Sequence, residues 1–222
     1  MGTILGHDVR IVLAGRTDAG VHAIGQVIGF RSEKDLDPAV MRRGVNALLP
    51  EDIAITAVEE VSADFHARFS ATGRTYEYRI RTGPHRHPLE RHREHWMPAA
   101  LDLAAMESAS RCLVGRHDFA AFATGPLASR TEREVRRASW EGAGTLLRFE
   151  IEASGFLRGM VRAIVGTLLW VGRGNVPPER MLALLSSRDR SAAGPNAPAL
   201  GLCLTGVSYA GAAGSPVDED DE

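Results

Sequence analysis

The sequence predicts an α+β fold, on three observations. Residues 74–81 (RTYEYRIR) alternate as a strand does, with Tyr76, Tyr78 and Ile80 on one face and charged residues on the other. Residues 156–171 are apolar on nearly every side, which is typical of a buried helix. Strands and helices also do not follow the strict order of βαβ units. With 222 residues, 44% of them hydrophobic, the chain can fill a sizeable core.

The N-terminal half is predicted to contain strands around one helix. Residues 9–14 are predicted as a buried strand, and residues 25–30 (GQVIGF) as its return partner. A helix begins at Pro38 and continues to about Leu49, where Pro50 ends it. Residues 52–61 (DIAITAVEEV) are predicted as a further strand, ahead of the alternating strand 74–81.

A loss of periodicity at residues 82–95 (TGPHRHPLERHREH) indicates a domain boundary. We therefore expect an N-terminal subdomain over residues 1–84 and a C-terminal subdomain over residues 85–212. The second is predicted to contain a helix at 101–114, a loop at 115–125, a strand at 145–153, helices at 156–171 and 177–187, and a closing strand at 202–209. Residues 213–222, whose last six hold five acids, are predicted to be a disordered acidic tail.

Composition restricts the class of protein. The longest uncharged apolar stretch, residues 163–171, is far shorter than the roughly 20 residues of a membrane span, and we expect a cytoplasmic protein with no membrane contact. Cys112 and Cys203 lie far apart without metal-ligand spacing, which favours reduced thiols. Outside the tail, 26 Lys and Arg face 23 Asp and Glu, and 25 of the 26 are arginine. Arginine suits phosphate and bases, so this composition is compatible with a nucleic-acid partner.

Two features near the predicted core suggest chemistry. Asp18 lies in the Gly-flanked stretch GRTDAGVH (15–22), directly after a predicted strand, and it is either a turn residue or a carboxylate presented for reaction. Arg158 and Arg162 lie four apart on one face of the apolar helix. A buried guanidinium needs a carboxylate or phosphate, and Asp18 is one candidate partner. Alternatively, both arginines extend to solvent.

Three further features have ordinary structural interpretations. The histidines of residues 85–95 fit no standard metal spacing, so we predict no metal site and favour a charged loop that meets solvent or RNA phosphate. His117 and Asp118 are either an acid/base pair or a turn capped by Asp118, and we favour the turn. Taken alone, Tyr76 is a core aromatic with a satisfied hydroxyl.

The stretch AGRTDAGVHA (14–23) resembles the signature of the TruA-type tRNA pseudouridine synthases, the pseudouridine synthase I family. The resemblance continues, in the family's order, through GQV, DFHARFSATGRTYEYRI (64–80), GRHDFAAF (115–122), MVRAIVGTLLWVG (160–172) and APALGLCLTGVSY (197–209). It implies the pseudouridine synthase fold, in which two α/β subdomains with a mixed, mainly antiparallel sheet flank a catalytic cleft.

The resemblance also implies an activity and a role for each matched residue. The family isomerises uridine to pseudouridine at positions 38, 39 and 40 of the tRNA anticodon stem-loop, as a homodimer and without metal or other cofactor. Asp18 matches the essential aspartate, which could attack C1′, add to C6 or promote a glycal. Tyr76 matches the tyrosine that stacks on the uracil, and Arg162 the arginine that pairs with the aspartate. Arg16 matches the arginine that enters the space left by the flipped nucleotide, and Leu202 a leucine of the pocket wall.

Two alternatives and one departure accompany this hypothesis. The chain could be an RNA-binding protein of the same fold that has lost turnover, or, far less in keeping with the sequence, a metal-dependent hydrolase. Residues 91–95 and 129–137 would suit phosphates or form a solvated charged face. Family members begin with a strand and helix ahead of the aspartate motif, whereas only 14 residues precede Gly15 here. We therefore expect an incomplete N-terminal sheet, with poor activity or a tendency to aggregate.

Overall fold

The computed structural model describes residues 2–35, 37–126 and 130–210. Residues 1–15 and 27–71 form one compact unit, and residues 16–26 together with the chain from residue 72 form a second. These units separate at residues 71 and 72. The physical reason is that residues 71–82 form one unbroken strand, hydrogen-bonded along residues 146–153 of the second unit. The acidic tail predicted over 213–222 lies outside the described residues.

The described helices and strands follow each other in this order: α1 (Gly2–Leu5), β1 (Val12–Leu13), β2 (His22–Ala23), β3 (Ile28–Gly29), α2 (Pro38–Asn46), β4 (Ala71–Thr82), β5 (His95–Met97), α3 (Leu103–Arg111), β6 (Gly115–Asp118), β7 (Glu132–Ala143), β8 (Leu146–Ala153), α4 (Met160–Gly172), α5 (Arg180–Ser187) and β9 (Leu202–Tyr209).

In the first unit, helix α2 packs on α1. The carboxylate of Asp37 caps α2 by accepting hydrogen bonds from the backbone N–H groups of Ala39 and Val40, at 2.7 and 3.1 Å. Met41 and Val45 are buried together with Leu5 of α1. The predicted helix is confirmed, and the described helix ends at Asn46.

Two predictions for the first unit were wrong. Residues 9–14 are not a buried strand, because only Val12 and Leu13 pair with β3, and Ile11 and Leu13 are 45% and 42% exposed. Residues 52–61 contain no strand. Their apolar pattern arises from packing against α2, and the Asn46 side-chain amide takes the place of a strand by donating to the Ile55 carbonyl and accepting from the Ile55 N–H, at 2.9 and 2.7 Å.

The second unit is built on a mixed, mainly antiparallel sheet with strand order β2, β9, β4, β8, β7, β6. Strand β2 pairs in parallel with β9, β5 pairs in parallel with β4, and the β4–β8, β7–β8 and β6–β7 pairs are antiparallel. Tyr76 lies opposite Ile151 and Tyr78 opposite Phe149. The alternation predicted for β4 is confirmed, because the side chains of Tyr76, Tyr78 and Ile80 are all buried.

Helix α4 belongs to the same core as this face of the sheet and is buried along most of its length. It begins at Met160, later than predicted, after Gly159, whose φ of 69° lies in the left-handed region. Within the described residues, no helix combines the length and apolar character that crossing a bilayer requires.

Strands β6 and β7 differ from the sequence prediction. Residues 115–118 were expected in a loop and form β6, and residues 132–143 were not recognised as a strand. The arginine-rich stretch of β7 carries charged side chains on its outer face and a register shift between Val135 and Arg137, and both features obscure the alternation of a strand. Cys112 and Cys203 are free, half-buried thiols, as expected.

Candidate active site

Asp18 occupies a turn that leads into the sheet of the second unit. The backbone carbonyl of Asp18 accepts a hydrogen bond from the N–H of Val21 at 3.1 Å, and Gly20 has a φ of 79°, which favours glycine. The next two residues form β2, where His22 lies opposite Cys203 of β9. The turn therefore holds the Asp18 carboxylate beside a sheet strand, with 31% of its side chain exposed.

Arg162 of helix α4 contacts this carboxylate directly. Its Nη1 donates to Oδ2 of Asp18 at 2.8 Å, and its Nε donates to the carbonyl of Ala197 at 2.8 Å. The side chain is 21% exposed, whereas Arg158, one turn earlier, is exposed. Arg162 thus has the carboxylate partner that its place in an apolar helix predicts, while Arg158 follows the alternative and extends to solvent.

A close approach between helix α4 and residues 193–198 fixes the position of Arg162. The N–H of Gly194 donates to Oγ1 of Thr167 at 2.9 Å, and the N–H of Ala197 donates to the carbonyl of Arg162 at 2.9 Å. A Cβ atom on Gly166 would overlap the carbonyl oxygen of Pro195, so the two segments can only approach this closely at glycine.

Two more side chains hold the 193–198 segment from its other sides. Arg190 donates to the carbonyl of Gly194 at 3.0 Å and to Oδ1 of Asn196 at 2.9 Å. The hydroxyl of the buried Tyr78 donates to the carbonyl of Pro198 at 2.9 Å. The 193–198 segment, which carries the Ala197 carbonyl, is therefore hydrogen-bonded to helix α4, to Tyr78 of β4 and to Arg190.

Tyr76 lies on β4, on the buried face of the sheet. Phe156 packs edge-on against it, with ring centroids 5.2 Å apart and planes at 90°. Burial raises the pKa of Tyr76 to about 12; the positive charge of Arg74 lowers this pKa and the negative charge of Asp18 raises it. Tyr76 is therefore protonated at neutral pH, and the residue is 9% exposed.

Leu202 and Arg16 complete the set of residues expected from the sequence. Leu202 is the first residue of β9, adjacent to β4 in the sheet, and is 5% exposed. Arg16 is exposed and lies two residues before Asp18. All five residues belong to the second unit. The structure joins Asp18 and Arg162 by a direct ion pair, places Tyr76 and Leu202 on neighbouring strands of one sheet, and leaves Arg16 at the surface.

The other candidate residues serve packing and turns. His95 packs edge-on against Tyr78 at 6.4 Å, and burial lowers the pKa of this histidine. Among the described residues, no group of three or more His, Cys, Asp and Glu side chains could hold a metal ion. Asp118 caps the turn that follows it by accepting the N–H of Ala120 at 2.9 Å, as favoured from the sequence, and pairs with Arg188 at 2.8 Å.

Sequence reasoning missed Phe156 and Ala197 as parts of this site. Phe156 was assigned to the predicted helix, yet it precedes α4 and lies against Tyr76. Ala197 contributes a backbone carbonyl, which no side-chain pattern reveals. The only signal for its approach is the pair of glycines, Gly166 and Gly194, where the two segments meet.

The sequence is similar to known proteins of one family. A family model described as tRNA pseudouridine synthase matches residues 3–70 and 109–210. The chain is 44% identical over 205 residues to tRNA pseudouridine synthase A of Geobacillus kaustophilus, covering 92% of this chain and 80% of that protein. It is 48% identical over 207 residues to the protein of the same name from Chloroflexus aurantiacus, covering 90% and 74%. The Thermus thermophilus protein of that name is 46% identical over 204 residues, covering 90% and 80%.

The ranges matched by the family model extend across both compact units and include the Asp18 turn, helix α4 and strand β9, whereas β4 lies between the two ranges. The mixed, mainly antiparallel sheet is the one that the resemblance implies. The chain belongs to the tRNA pseudouridine synthase family, enzymes that isomerise uridine to pseudouridine.

Proposed function

We propose that this chain converts uridine to pseudouridine in the anticodon stem-loop of tRNA, at positions 38, 39 and 40, with Asp18 as the nucleophile. The observation that carries the proposal is the 2.8 Å ion pair between Arg162 and Asp18, with Tyr76 close enough for the Asp18 charge to affect it. A carboxylate fixed on a turn, oriented by one guanidinium and partly open to solvent, is equipped to attack an electrophilic carbon.

The reaction balances without an added reagent. The N1–C1′ bond of the uridine breaks, the freed uracil turns, and a C5–C1′ bond forms. N1 gains a proton and C5 loses one, so no net oxidation occurs and the atoms of the nucleotide are conserved. Asp18 could form a covalent bond at C1′ or at C6, or remove a ribose proton on a glycal route, and the geometry supports a role in each.

Tyr76 and Leu202 supply the surfaces that a flat base needs. The Tyr76 ring is fixed by the edge of Phe156, which gives an oriented face on which a uracil can stack. Since the pKa of Tyr76 is about 12, its hydroxyl is neutral at physiological pH and acts as a hydrogen-bonding group rather than a resting base. Leu202 is proposed as an apolar wall under the base.

Arg16 is proposed to support the flipped state. A target base in a stem is unreachable while stacked, so it must leave the helix. The exposed guanidinium of Arg16, two residues from Asp18, can fill the resulting space and contact phosphate. We further propose that the chain works as a cytoplasmic homodimer.

Replacing Asp18 tests the proposal. We expect Asp18→Asn to abolish pseudouridine formation on an unmodified anticodon stem-loop, measured by tritium release from 5-tritiated uridine, while RNA affinity stays within a few fold because phosphate contacts dominate it. Asp102→Asn is the matched control, because asparagine also caps a helix such as α3.

Two outcomes contradict the proposal. If Asp18→Asn retains wild-type turnover, Asp18 is not the nucleophile. If the unaltered chain binds the stem-loop without releasing tritium, it is an RNA-binding protein of this fold and not an active synthase.

A further inference from the structure

Arg133 of strand β7 projects from the buried face of the sheet. It lies two residues from Val135, on the same side of the strand, and Val135 lies opposite Ala153 of β8. Ala153 in turn lies opposite Arg74 of β4, two residues from Tyr76. Val135 and Ala153 are buried, so Arg133 projects from the same sheet face as Tyr76.

The guanidinium of Arg133 is half-buried, and its hydrogen bonds within the described residues are to backbone carbonyls. Its Nη1 donates to the carbonyls of Arg130 and Glu132, at 3.0 and 2.6 Å. Its Nε would lie 3.7 Å from a Cβ placed on Gly155, so the side chain lies against the turn after β8. Across residues 2–35, 37–126 and 130–210, no carboxylate forms an ion pair with Arg133.

A second positive charge lies beside it. Burial and the nearby charge of Arg130 both lower the pKa of Arg133, and no carboxylate in the described part of the chain pairs with Arg133 to oppose them. Arg130 is itself exposed. A partly desolvated arginine next to another cation is unfavourable unless an anion binds there.

The other arginines of β7, in contrast, form ion pairs with carboxylates. Arg136 pairs with Glu152 at 3.2 Å, and Arg137 pairs with Glu150 at 2.5 Å. Arg136 and Arg137 are thus compensated by carboxylates of β8, whereas Arg133 has no such partner among the described residues.

We propose that Arg133 and Arg130 bind a backbone phosphate of the RNA substrate. This rests on the proposed function, which supplies an RNA strand. Both guanidinium groups offer planar donors suited to phosphate oxygens. The turn at residues 154–155 links Arg133 to the candidate active site. Arg74 donates to the carbonyl of Ser154 at 3.2 Å, and Phe156, two residues later, contacts Tyr76. The phosphate is therefore one that flanks the target nucleotide.

The test compares Arg133→Gln with Arg137→Gln, which removes the same charge from the same strand. Affinity for the unmodified anticodon stem-loop is measured by fluorescence anisotropy at several salt concentrations between about 50 and 200 mM. We expect Arg133→Gln to weaken binding about 5- to 10-fold. It should also reduce the salt slope, the slope of log affinity against log salt concentration, by about 1. Arg137→Gln should leave the affinity within about twofold and the salt slope close to the wild type. In turnover, KM should rise while kcat changes little.

Arg130→Gln and Arg133→Lys keep the test decisive if Arg133→Gln folds poorly. Arg130 is exposed, so its replacement should lower affinity and salt slope without a change in melting temperature, and Arg133→Lys should keep a salt slope close to the wild type. A salt slope that is unchanged in both Arg130→Gln and Arg133→Gln would overturn this proposal. It would leave the proposed function intact if the wild-type chain still turns over the stem-loop.

Two other outcomes would also overturn it. If inorganic phosphate raises the melting temperature of the wild type but not of Arg133→Gln, while stem-loop binding is the same for both, the site takes a free anion and not RNA. If the wild-type chain does not bind the stem-loop at all, the proposed function fails together with this inference.

Discussion

Arg162 and Ala197 exchange two hydrogen bonds: the N–H of Ala197 donates to the carbonyl of Arg162 at 2.9 Å, and Nε of Arg162 donates to the carbonyl of Ala197 at 2.8 Å. The first bond fixes the backbone of α4 relative to the 193–198 segment. The second fixes the plane of the guanidinium. As a result, Nη1 of Arg162 is directed at Asp18 before any substrate binds.

Replacing Arg162 should therefore affect both function and folding. We expect Arg162→Met to lower turnover at least 100-fold and to lower the free energy of unfolding by about 1–2 kcal/mol, since the ion pair is partly exposed. Urea denaturation and tritium release measure the two effects. Arg158→Met, an exposed position one turn away on the same segment, is the control and should unfold as the wild type does. Equal stability in both variants would show that the Asp18 pair contributes nothing to folding.

Gly166 should be intolerant of even the smallest side chain. A methyl group there would overlap the Pro195 carbonyl, so Gly166→Ala must push the 193–198 segment away from α4. We expect a loss of about 1–3 kcal/mol in stability, together with a loss of turnover because Ala197 no longer holds Arg162. Gly206→Ala has open space around its added Cβ and serves as the control. Wild-type melting temperature and turnover in Gly166→Ala would contradict the close approach described here.

Buried tyrosines should make the protein sensitive to alkali. In the unfolded chain Tyr76 loses its proton near pH 10, whereas in the folded chain its pKa is about 12. The unfolded state thus binds fewer protons between these values, and stability should fall as pH rises through this window. Burial also raises the pKa of Tyr78. Thermal melts between pH 9 and pH 11 check this, and a Tyr76→Phe variant should show a shallower decline than the wild type.

The ion pair of Arg81 with Glu94 should matter for stability more than exposed pairs do. Glu94 is nearly buried and accepts two hydrogen bonds from Arg81, both at 2.8 Å, which ties the segment before β5 to β4. We expect Glu94→Gln to cost about 2–3 kcal/mol, because it weakens a charged pair in a poorly solvated place. Glu132→Gln, which alters an exposed pair with Arg116, should cost less than about 1 kcal/mol. Equal losses in urea denaturation would contradict this ranking.

Much of the second unit could be predicted because its signals are local. The alternation of Tyr76, Tyr78 and Ile80 identifies β4, and the apolar circumference around Arg162 identifies both a buried helix and the need for an acidic partner. The residues around 52–61 could not be predicted correctly, because an apolar pattern reports which side chains are buried and not whether a strand or the Asn46 side chain satisfies the backbone.

The remaining differences have related causes. In the sequence, the charged residues of β7 have the pattern of a solvent-exposed loop. The structure shows that they belong to a strand, because they pair with carboxylates of the neighbouring strand β8. The Ala197 carbonyl has no sequence signature at all, because every residue has one.

The parallel pairing of β2 with β9 has a consequence for synthesis of the protein. Asp18 precedes β2 and leaves the ribosome early, whereas its partner Arg162 lies 144 positions later and β9 begins only at Leu202. The most distant contacts close the largest loops and are the slowest to form. The Asp18 carboxylate, proposed as the nucleophile, therefore has neither its ion pair nor the neighbouring strand until residues 162 and 202–209 have been synthesised.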